Sequence, residues 1–382
     1  MAIDKNFPDP SVIKSGDTYY AYATGGNEDG AFPYASAPTM GGPWKIRGWS
    51  MPDQPAWVGR NSDGNFTYWA PSVFRNDQGR FVMYFTANKK GTSDRCIGAA
   101  VADTATGPFK PLEKPMVCRA GSEVIDPTGA SGGGQRYVLY KVNDHRGHFQ
   151  IRIQKVGPNG LSAYGDPKVL IERSTQIEAP DVRHHDGKVY FFVSRLSYTN
   201  CSYKTEVYRA DSLTSGHWTF MKTLMSTENS GRCGPGGAEV RTMDGKMWMV
   251  FHAWKCPRDV PCRPGDPKDA HRYRAMLTAQ LGWGARGVPY LLNGEPSKTE
   301  ASSPKPSPGD AGSGAVTASG SAPAGGGGDE DAVPPGKGTP LPVTGLALGG
   351  LIAVGVATVV AGLALRAASR RRRTDNLAAT SA

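Results

Sequence analysis

The sequence predicts a fold made almost entirely of β-strands, and an internal repeat is the main reason. A short stretch, usually containing proline or glycine, leads into an apolar strand five times at intervals of 53 to 61 residues. Residues 7–292 show no sustained helical period with caps. Five similar antiparallel sheets suit radial closure, which hides most sheet edges. We therefore predict an all-β, five-bladed β-propeller, because the rival, a pair of β-sandwiches, gives no reason for five evenly spaced units.

The first strands of the five units share one register. They align on Asp9, Ala70, Asp126, Ala179 and Gly237. A turn containing Gly or Asp follows each of them and leads into an aromatic or β-branched strand, at residues 19–22, 81–85, 137–140, 189–193 and 247–251. Such turns and strands are typical of β-hairpins. A third strand can be identified in most units, for example at 97–102, 151–154 and 206–210.

The starts of the first strands are expected to meet at one mouth of a central channel, because the first strand of each propeller blade lines that channel. These starts carry Asp9, Trp69, Asp126, Glu178 and the glycine-rich turn 234–237. Glu178 stands one residue earlier in the register than the two aspartates, so its side chain leaves the strand in another direction. The sequence therefore predicts one pocket that contains three carboxylates.

The propeller is expected to occupy residues 1–296 and to contain disulfides. Six cysteines without C-x-x-C spacing favour disulfides in an oxidising compartment over a zinc site. Spacing leaves 15 pairings open, and we expect neighbours to pair, since each pair then lies within one unit. The expected pairs are Cys96–Cys118, Cys201–Cys233 and Cys256–Cys262.

The composition changes after the propeller. Residues 297–340 are rich in Ser, Pro, Gly and Ala and predict a flexible spacer, because they cannot bury enough apolar surface to offset the entropy of ordering. Residues 341–345 read Leu-Pro-Val-Thr-Gly, residues 346–365 carry no charge, and residues 366–382 contain five arginines. Twenty apolar residues are long enough for a transmembrane helix, and the arginines place its end in the cytoplasm.

This order of motif, apolar helix and basic tail resembles the cell-wall sorting signal of Gram-positive surface proteins. The resemblance implies that a sortase cleaves between Thr344 and Gly345 and joins the chain to peptidoglycan, so the expected location is outside the cell, covalently attached to the wall. A permanent single-span anchor is the alternative. No secretory signal precedes the first repeat, which we interpret as a fragment or a misplaced start.

The formal net charge of +10 does not indicate nucleic-acid binding. Five of the positive charges lie in the tail that a sortase would remove, and no basic run interleaved with aromatic residues occurs in the propeller. Motifs of serine hydrolases, zinc proteases and nucleotide enzymes are also missing from the sequence.

Three carboxylates in one pocket suit the hydrolysis of a glycosidic bond with inversion. One carboxylic acid protonates the leaving oxygen, while a carboxylate about 6.5 to 9.5 Å away activates water on the opposite face. A third carboxylate raises the pKa of the acid by like-charge repulsion and keeps it protonated near neutral pH. Glu178 is the expected acid.

Five stretches together resemble glycoside hydrolase family 43, a family of five-bladed propellers that hydrolyse arabinans, arabinoxylans and xylosides with inversion. The stretches are residues 7–12, 68–73, 125–128, 178–182 and 250–254. The resemblance covers nearly all of residues 7–292 in the family's order. It implies that Asp9 is the general base, that Glu178 is the general acid, and that Asp126 tunes the pKa of the acid and orients the substrate.

The resemblance also implies roles for three further residues. Trp69 resembles a tryptophan that forms a wall of the sugar subsite, and Arg274 resembles an arginine near the carboxylates. His252 resembles a histidine that faces a bound ion, often calcium, through water at the propeller axis. The expected partners are arabinose- or xylose-containing glycans, acted on by a monomer that requires no cofactor.

Two other functions remain open at this point. A surface lectin or adhesin could use the same propeller mouth to bind glycans without cleaving them, although binding does not need crowded carboxylates. The related retaining β-fructosidases carry Arg-Asp-Pro and Glu-Cys-Pro, whereas this chain has Ile125-Asp126-Pro127 and Glu178-Ala179-Pro180. Those differences count against the second alternative.

Overall fold

A computed structural model describes residues 1–256 and 272–292. Among these residues the strands form four hydrogen-bonded sheets, the second of which joins two antiparallel groups through one parallel residue pair between Glu123 and Arg95. Counting those two groups separately, we divide the strands into five consecutive groups, here called units 1 to 5. Unit 1 contains β1 (Ser11–Ser15), β2 (Thr18–Tyr22), β3 (Gly26–Asn27), β4 (Gly30–Ala37) and β5 (Lys45–Met51). Unit 2 contains β6 (Tyr68–Arg75), β7 (Phe81–Asn88), β8 (Arg95–Ala102) and β9 (Lys110–Pro111). Unit 3 contains β10 (Glu123–Gly132), β11 (Gln135–Asn143), β12 (Phe149–Val156) and β13 (Ala163–Arg173).

The remaining two units have the same antiparallel order. Unit 4 contains β14 (Ile177–His185), β15 (Lys188–Arg195), β16 (Lys204–Ala210) and β17 (Thr219–Met225). Unit 5 contains β18 (Cys233–Met243), β19 (Lys246–Lys255), β20 (Tyr273–Trp283) and β21 (Pro289–Leu291). Helical structure in the described ranges is limited to α1 (Thr227–Ser230) and a 3₁₀ turn (Ala285–Gly287). The prediction of an all-β domain is confirmed.

The units pack against one another in a ring. First strands touch in the order β1, β6, β10, β14 and β18, and β18 touches β1 again. Five apolar clusters fill the spaces between neighbouring units, including the space between units 5 and 1, where Val12 packs with Val250 and Met276. Side chains of each second strand alternate between two clusters; in β11, Val138 faces unit 2 and Leu139 faces unit 4. Alternation along a strand thus joins each unit to both neighbours.

The repeat register predicted from the sequence reappears in the backbone. Each aligned residue has a positive φ, from 45° at Ala70 to 58° at Gly237. In units 2 to 5 this residue lies in a β-bulge between the first and second strands. A bulge leaves one residue out of the ladder, so its N–H group needs another partner.

In four cases that partner is a side chain at the end of the second strand of the preceding unit. We call Thr24, Thr86, Lys141, Ser194 and His252 the capping positions. The last four lie opposite the residue that precedes the bulge residue of their own unit, and the N–H of Thr24 donates to the carbonyl of Pro8. The N–H groups of Ala70, Asp126 and Gly237 donate to hydroxyl oxygens of Thr24, Thr86 and Ser194 at 2.8 to 3.0 Å.

The same capping hydrogen bond also joins unit 5 to unit 1. The N–H of Asp9 donates to Nδ1 of His252 over 3.1 Å. Lys141 is the exception, because an ammonium group has no acceptor. The N–H of Ala179 donates instead to Oδ2 of Asp126 over 3.0 Å.

Two of the three expected disulfides involve described cysteines only, and both are present. Cys96 pairs with Cys118, and Cys201 pairs with Cys233. The reason given for the second pair is wrong, however, because Cys201 follows β15 in unit 4 whereas Cys233 begins β18 in unit 5. This bond joins two units instead of closing one.

Several sequence-based predictions fall outside the described residues. They are the Cys256–Cys262 pair through its second member, the spacer 297–340, the motif 341–345 with Thr344 and Gly345, the apolar segment 346–365 and the tail 366–382. Within residues 1–256 and 272–292, no helix has the length and apolar character needed to cross a membrane.

Candidate active site

The bulge positions bring the three predicted carboxylates to one end of the ring. Asp9 and Asp126 line the same cavity at its centre, together with the bulge residues Ala70, Ala179 and Gly237. Glu178 precedes Ala179 and is a buried residue. The carboxyl groups interact electrostatically, since both Glu178 and Asp9 raise the pKa of Asp126.

Asp9 lies among groups that favour its ionised form. Oδ2 accepts a hydrogen bond of 2.6 Å from Thr24, and Oδ1 accepts one of 3.2 Å from Arg274. Burial alone would raise the pKa of Asp9, but the positive charge of Arg274 and these hydrogen bonds outweigh it and lower the pKa. Asp9 is therefore a carboxylate at neutral pH.

His252 supports Asp9 as a neutral ring. It is fully buried, and burial together with the nearby Arg274 lowers its pKa to about 3. Because Nδ1 accepts the N–H of Asp9, the proton of the neutral ring is on Nε2, which lies 3.5 Å from a guanidinium nitrogen of Arg274. The close approach of His252 to the carboxylate of Asp9 is consequently not an ion pair.

Asp126 has the opposite electrostatic environment. Burial is the largest influence, and the negative charge of Glu178 adds to it, so the pKa of Asp126 rises to about 8 in spite of Lys141. Two interacting carboxyl groups titrate as a pair. Asp126, next to Glu178, therefore retains its proton at neutral pH.

Glu178 is held by three donors. Lys141 and Gln176 donate to Oε2 over 2.8 and 2.6 Å, and the hydroxyl of Tyr203 donates to Oε1 over 2.8 Å. Tyr203 lies on the loop that the Cys201–Cys233 disulfide ties down, and its ring stacks on His252 at 5.8 Å. A Cβ atom on Gly236 would lie only 2.2 Å from the Tyr203 ring, so glycine is required there for this packing.

Trp69 and Arg274 lie on different sides of the mouth. Trp69 precedes Ala70 as Glu178 precedes Ala179, and the guanidinium of Arg95 lies 4.3 Å from the centre of its ring. Arg274 lies 4.9 Å from the ring centre of Tyr198, which is 42% exposed. The mouth thus has two aromatic residues whose rings are each in contact with an arginine.

The sequence reasoning did not identify Lys141, Tyr203 or Thr24. Lys141 had a detectable signal, because it is a charged residue directly after the apolar run 137–140 and directly before Val142. Thr86, Ser194 and His252 end the corresponding runs of other units in the same way. Tyr203 had no such signal, since its loop has no repeat equivalent that we could align.

Direct coordination of a cation by His252 does not fit the ring geometry. Nδ1 is occupied by the N–H of Asp9, and Nε2 faces the positive charge of Arg274. In the part of the chain that the structure describes, no group of three or more His, Cys, Asp or Glu side chains could hold a metal ion. Neither ring nitrogen of His252 is therefore free to coordinate a cation directly.

Similarity to known proteins agrees with this arrangement. The profile of the family described as "Glycosyl hydrolases family 43" matches residues 2–289. A probable arabinan endo-1,5-α-L-arabinosidase C of Aspergillus flavus is 34% identical over 199 residues, covering 49% of this chain and 58% of that protein. An extracellular exo-α-(1→5)-L-arabinofuranosidase of Cellvibrio japonicus is 24% identical over 292 residues, covering 65% and 78%.

Solved structures show the same fold. A thermostable family-43 glycoside hydrolase superposes with a TM-score of 0.64 at 24% identity, covering 79% of this chain and 95% of the other. A xylan β-1,4-xylosidase of Bacillus halodurans superposes with a TM-score of 0.60 at 16% identity, covering 77% and 56%. The family profile spans about three quarters of the sequence, and its match includes all three carboxylates. The chain belongs to glycosyl hydrolase family 43.

Proposed function

We propose that the chain is a five-bladed propeller that hydrolyses α-L-arabinofuranosyl linkages, or β-D-xylosyl linkages as the second choice, with inversion at the anomeric carbon. The single observation that carries this proposal is the electrostatic difference between Asp9 and the Asp126–Glu178 pair. Asp9 is held ionised, whereas Asp126, next to Glu178, retains a proton at neutral pH. An inverting glycosidase needs one ionised and one protonated group in this way.

The roles follow from those states. Asp9 removes a proton from a water molecule, which attacks the anomeric carbon while Glu178 protonates the leaving oxygen. Asp126 supplies like charge next to Glu178 and keeps the pair protonated near neutral pH. Arg274 keeps Asp9 ionised, and Trp69 offers an aromatic surface to the apolar face of the sugar.

Arabinose is favoured over xylose by the names of the curated relatives. The Aspergillus and Cellvibrio proteins are named as enzymes of α-1,5-linked arabinose, whereas the xylosidase resembles this chain at the level of the fold alone. The chain spans 58% of the first of those relatives. Their activities therefore enter here as part of the proposal.

The test is hydrolysis by the full chain of 4-nitrophenyl α-L-arabinofuranoside, 4-nitrophenyl β-D-xyloside and linear arabinan. We expect release of product from the arabinofuranoside or from arabinan, and its loss in Glu178→Gln. Proton NMR of the first product formed should show the inverted anomer. Binding of these glycans without cleavage of any of them would contradict the enzyme and support a lectin.

The location at the cell wall is a separate proposal that rests on residues 341–382 of the sequence. A sortase would cleave between Thr344 and Gly345 and attach the chain to peptidoglycan, and the spacer would let the enzyme reach polymer outside the wall. Incubation of the full chain with a sortase and a glycine peptide should give a product ending at Thr344, as measured by mass spectrometry. Substitution of Thr344→Ala should prevent that reaction.

A calcium ion on the channel axis and a monomeric state are proposals that rest on the family resemblance. Since His252 offers no free nitrogen, such an ion would be held through water. Removal of calcium with EDTA should then lower the thermal unfolding temperature, and an unchanged temperature would contradict a structural ion. Sedimentation of the full chain should give the mass of one copy.

A further inference from the structure

Lys141 departs from the rule that the other capping positions follow. Thr24, Thr86, Ser194 and His252 each accept the bulge N–H of the next unit. A lysine at this position cannot accept, and the carboxylate of Asp126 takes over the N–H of Ala179. The side chain of Lys141 is consequently released from the backbone and has a different partner.

That partner is the carboxyl group proposed as the general acid. Nζ of Lys141 lies 2.8 Å from Oε2 of Glu178, and the two side chains are only 3% and 7% exposed. Burial disfavours a charged lysine, but Glu178 and Asp126 outweigh burial and raise the pKa of Lys141. An ammonium group is therefore held inside the site at neutral pH.

The charged and titratable groups that act on this pair come from several neighbouring elements. Asp126 and Glu123 come from β10, and Glu123 also pairs with Arg95 of β8. Tyr203 of the disulfide loop and Gln176 before β14 contact Glu178 itself. The ring of Phe149 on β12 lies 5.7 Å from Nζ and completes the enclosure. Of these groups, Lys141 carries the positive charge that contacts Glu178 directly.

The two oxygens of Glu178 are not equivalent. Oε2 accepts two hydrogen bonds, from Lys141 and Gln176, while Oε1 accepts one, from Tyr203. A carboxylate oxygen has about two acceptor sites. The remaining site is therefore on Oε1, and this oxygen can carry the proton that the leaving group receives.

We propose that Lys141 is a positioning residue that fixes Glu178 through Oε2, directs Oε1 to the leaving oxygen and holds a positive charge next to this acid. This inference rests on the proposed function, since it assigns Lys141 a task in the same reaction. A positive charge next to a carboxyl group favours loss of its proton. A stronger acid transfers its proton more readily to a poor leaving group.

Removal of the positive charge should shift the pH dependence of kcat/KM in a predictable direction. Without Lys141 the pKa of the Asp126–Glu178 pair rises, so the pair keeps its proton to higher pH. The alkaline limb of kcat/KM should move up by about one pH unit or more, the usual effect of one close charge. The acid limb, which reports Asp9 on the other side of the mouth, should stay where it is.

The experiment compares the full-length wild type with Lys141→Met and Lys141→Thr on two arabinofuranosides. One carries 2,4-dinitrophenol, which leaves without a proton, and the other carries 4-methoxyphenol, which needs one. If xylosides are the substrates, the corresponding xylosides replace them. We expect each variant to lose about tenfold or more on the methoxyphenyl substrate, to lose little on the dinitrophenyl substrate, and to show the shifted alkaline limb.

Three variants separate the effect of the charge from the effect of packing. Lys141→Thr introduces the residue that units 1 and 2 carry at the capping position, so folding should be preserved even if Lys141→Met is unstable. Tyr203→Phe removes a hydrogen bond to Glu178 without changing the charge. It should reduce activity on the methoxyphenyl substrate without moving the alkaline limb. Lys188→Met, which removes an exposed pair with Asp211, should behave as wild type.

The outcomes distinguish this inference from the proposed function. Equal losses on both substrates with an unmoved alkaline limb would mean that Lys141 is merely structural and would overturn the inference. Unchanged kinetics in Lys141→Met and Lys141→Thr, together with an inactive Glu178→Gln, would overturn the inference and leave the glycosidase standing. An inactive wild type on arabinosides, xylosides and arabinan would contradict the function itself.

Discussion

On two sides of the mouth of the ring, the same capped bulge stands in opposite electrostatic environments. Between units 5 and 1, a neutral histidine caps the bulge, and Arg274 is left to hold Asp9 ionised. Between units 3 and 4, a lysine occupies the capping position, so Asp126 caps the bulge beside Glu178. The same repeated position thus carries a neutral ring where a carboxylate is held ionised and an ammonium group where two carboxyl groups are crowded.

The difference teaches how a repeat fold can build an asymmetric site. Thr24, Thr86 and Ser194 show that a small hydroxyl residue is sufficient to cap a bulge. Thr24 also donates to a carboxylate oxygen of Asp9, and the lysine and histidine at the other two capping positions each contact a carboxyl group with a nitrogen. Three of the five capping positions thus contact a carboxyl group of the site, and two of those three carry a nitrogen base in place of the hydroxyl.

The largest expected effect is a loss of kcat/KM, and it tests the Asp9 side and the Glu178 side of the mouth separately. Asp9→Asn and Glu178→Gln should each reduce kcat/KM on arabinan by about 10²- to 10⁴-fold, since each removes one of the two proton transfers. Steady-state kinetics with circular dichroism to verify folding will measure this. Asp244→Asn removes an exposed partner of Lys14 and serves as the matched control. Retained activity in either active-site variant would refute its role.

The next effect concerns the loop that carries Tyr203. Substitution of both Cys201 and Cys233 by serine releases a cross-link between residues 32 apart. The chain-entropy account predicts a loss of about 3 to 4 kcal/mol in the free energy of unfolding. Denaturant unfolding measures this loss, and kcat should also fall because Tyr203 is no longer fixed against Glu178.

The Cys96–Cys118 bond is the control for that experiment, because it joins residues 22 apart in unit 2. Its removal should cost a similar free energy of unfolding. It should leave kcat close to that of the wild type at temperatures where the protein remains folded. Equal losses of kcat in the two double variants would show that Tyr203 has no special part.

A smaller effect appears in the pH dependence. Arg274 lowers the pKa of Asp9, so Arg274→Met should raise that pKa and move the acid limb of kcat/KM upward, by about one pH unit or more. The wild-type alkaline limb is expected near pH 8, where the pair containing Asp126 loses its proton. Profiles from pH 4 to 10 measure both limbs, and an acid limb that stays fixed in Arg274→Met would contradict the assignment.

The smallest expected effect is on the free energy of unfolding, and it comes from substitutions at two of the bulge residues. Gly237→Ala places a Cβ atom 2.6 Å from the His252 ring at φ +58°, and should destabilise the protein. Ala70→Gly relieves a positive φ of 45° that costs an alanine about 1 to 2 kcal/mol, but adds backbone entropy to the unfolded chain. We expect Ala70→Gly to change the free energy of unfolding by less than about 1 kcal/mol. Denaturant curves of the two variants check the contrast.

The five-unit register could be predicted from sequence because small residues mark each bulge. Asp9, Ala70, Asp126, Ala179 and Gly237 all adopt the left-handed conformation, which Gly and Asp tolerate best and which bulky side chains avoid. Strand order and the separation into units followed from turns and apolar runs. The same register placed Asp9, Asp126 and Glu178 at one end of the ring.

The partners of those carboxylates could not be predicted in the same way. Whether Lys141 contacts Glu178 depends on which group accepts the N–H of Ala179, and that is decided by packing between units. Tyr203 reaches Glu178 from a loop whose path depends on a disulfide between units 4 and 5 and on the missing Cβ of Gly236. Repeats predict what is common to the units, whereas the site depends on their differences.

The most direct test of the two-sided account is the dependence of Asp9→Asn and Glu178→Gln on the leaving group. A dinitrophenyl leaving group needs no proton, so Glu178→Gln should recover much of its lost kcat/KM on the dinitrophenyl arabinofuranoside. Asp9→Asn should recover none, because water must still be activated. Recovery of both variants, or of neither, would contradict the assignment of acid and base to opposite sides of the mouth.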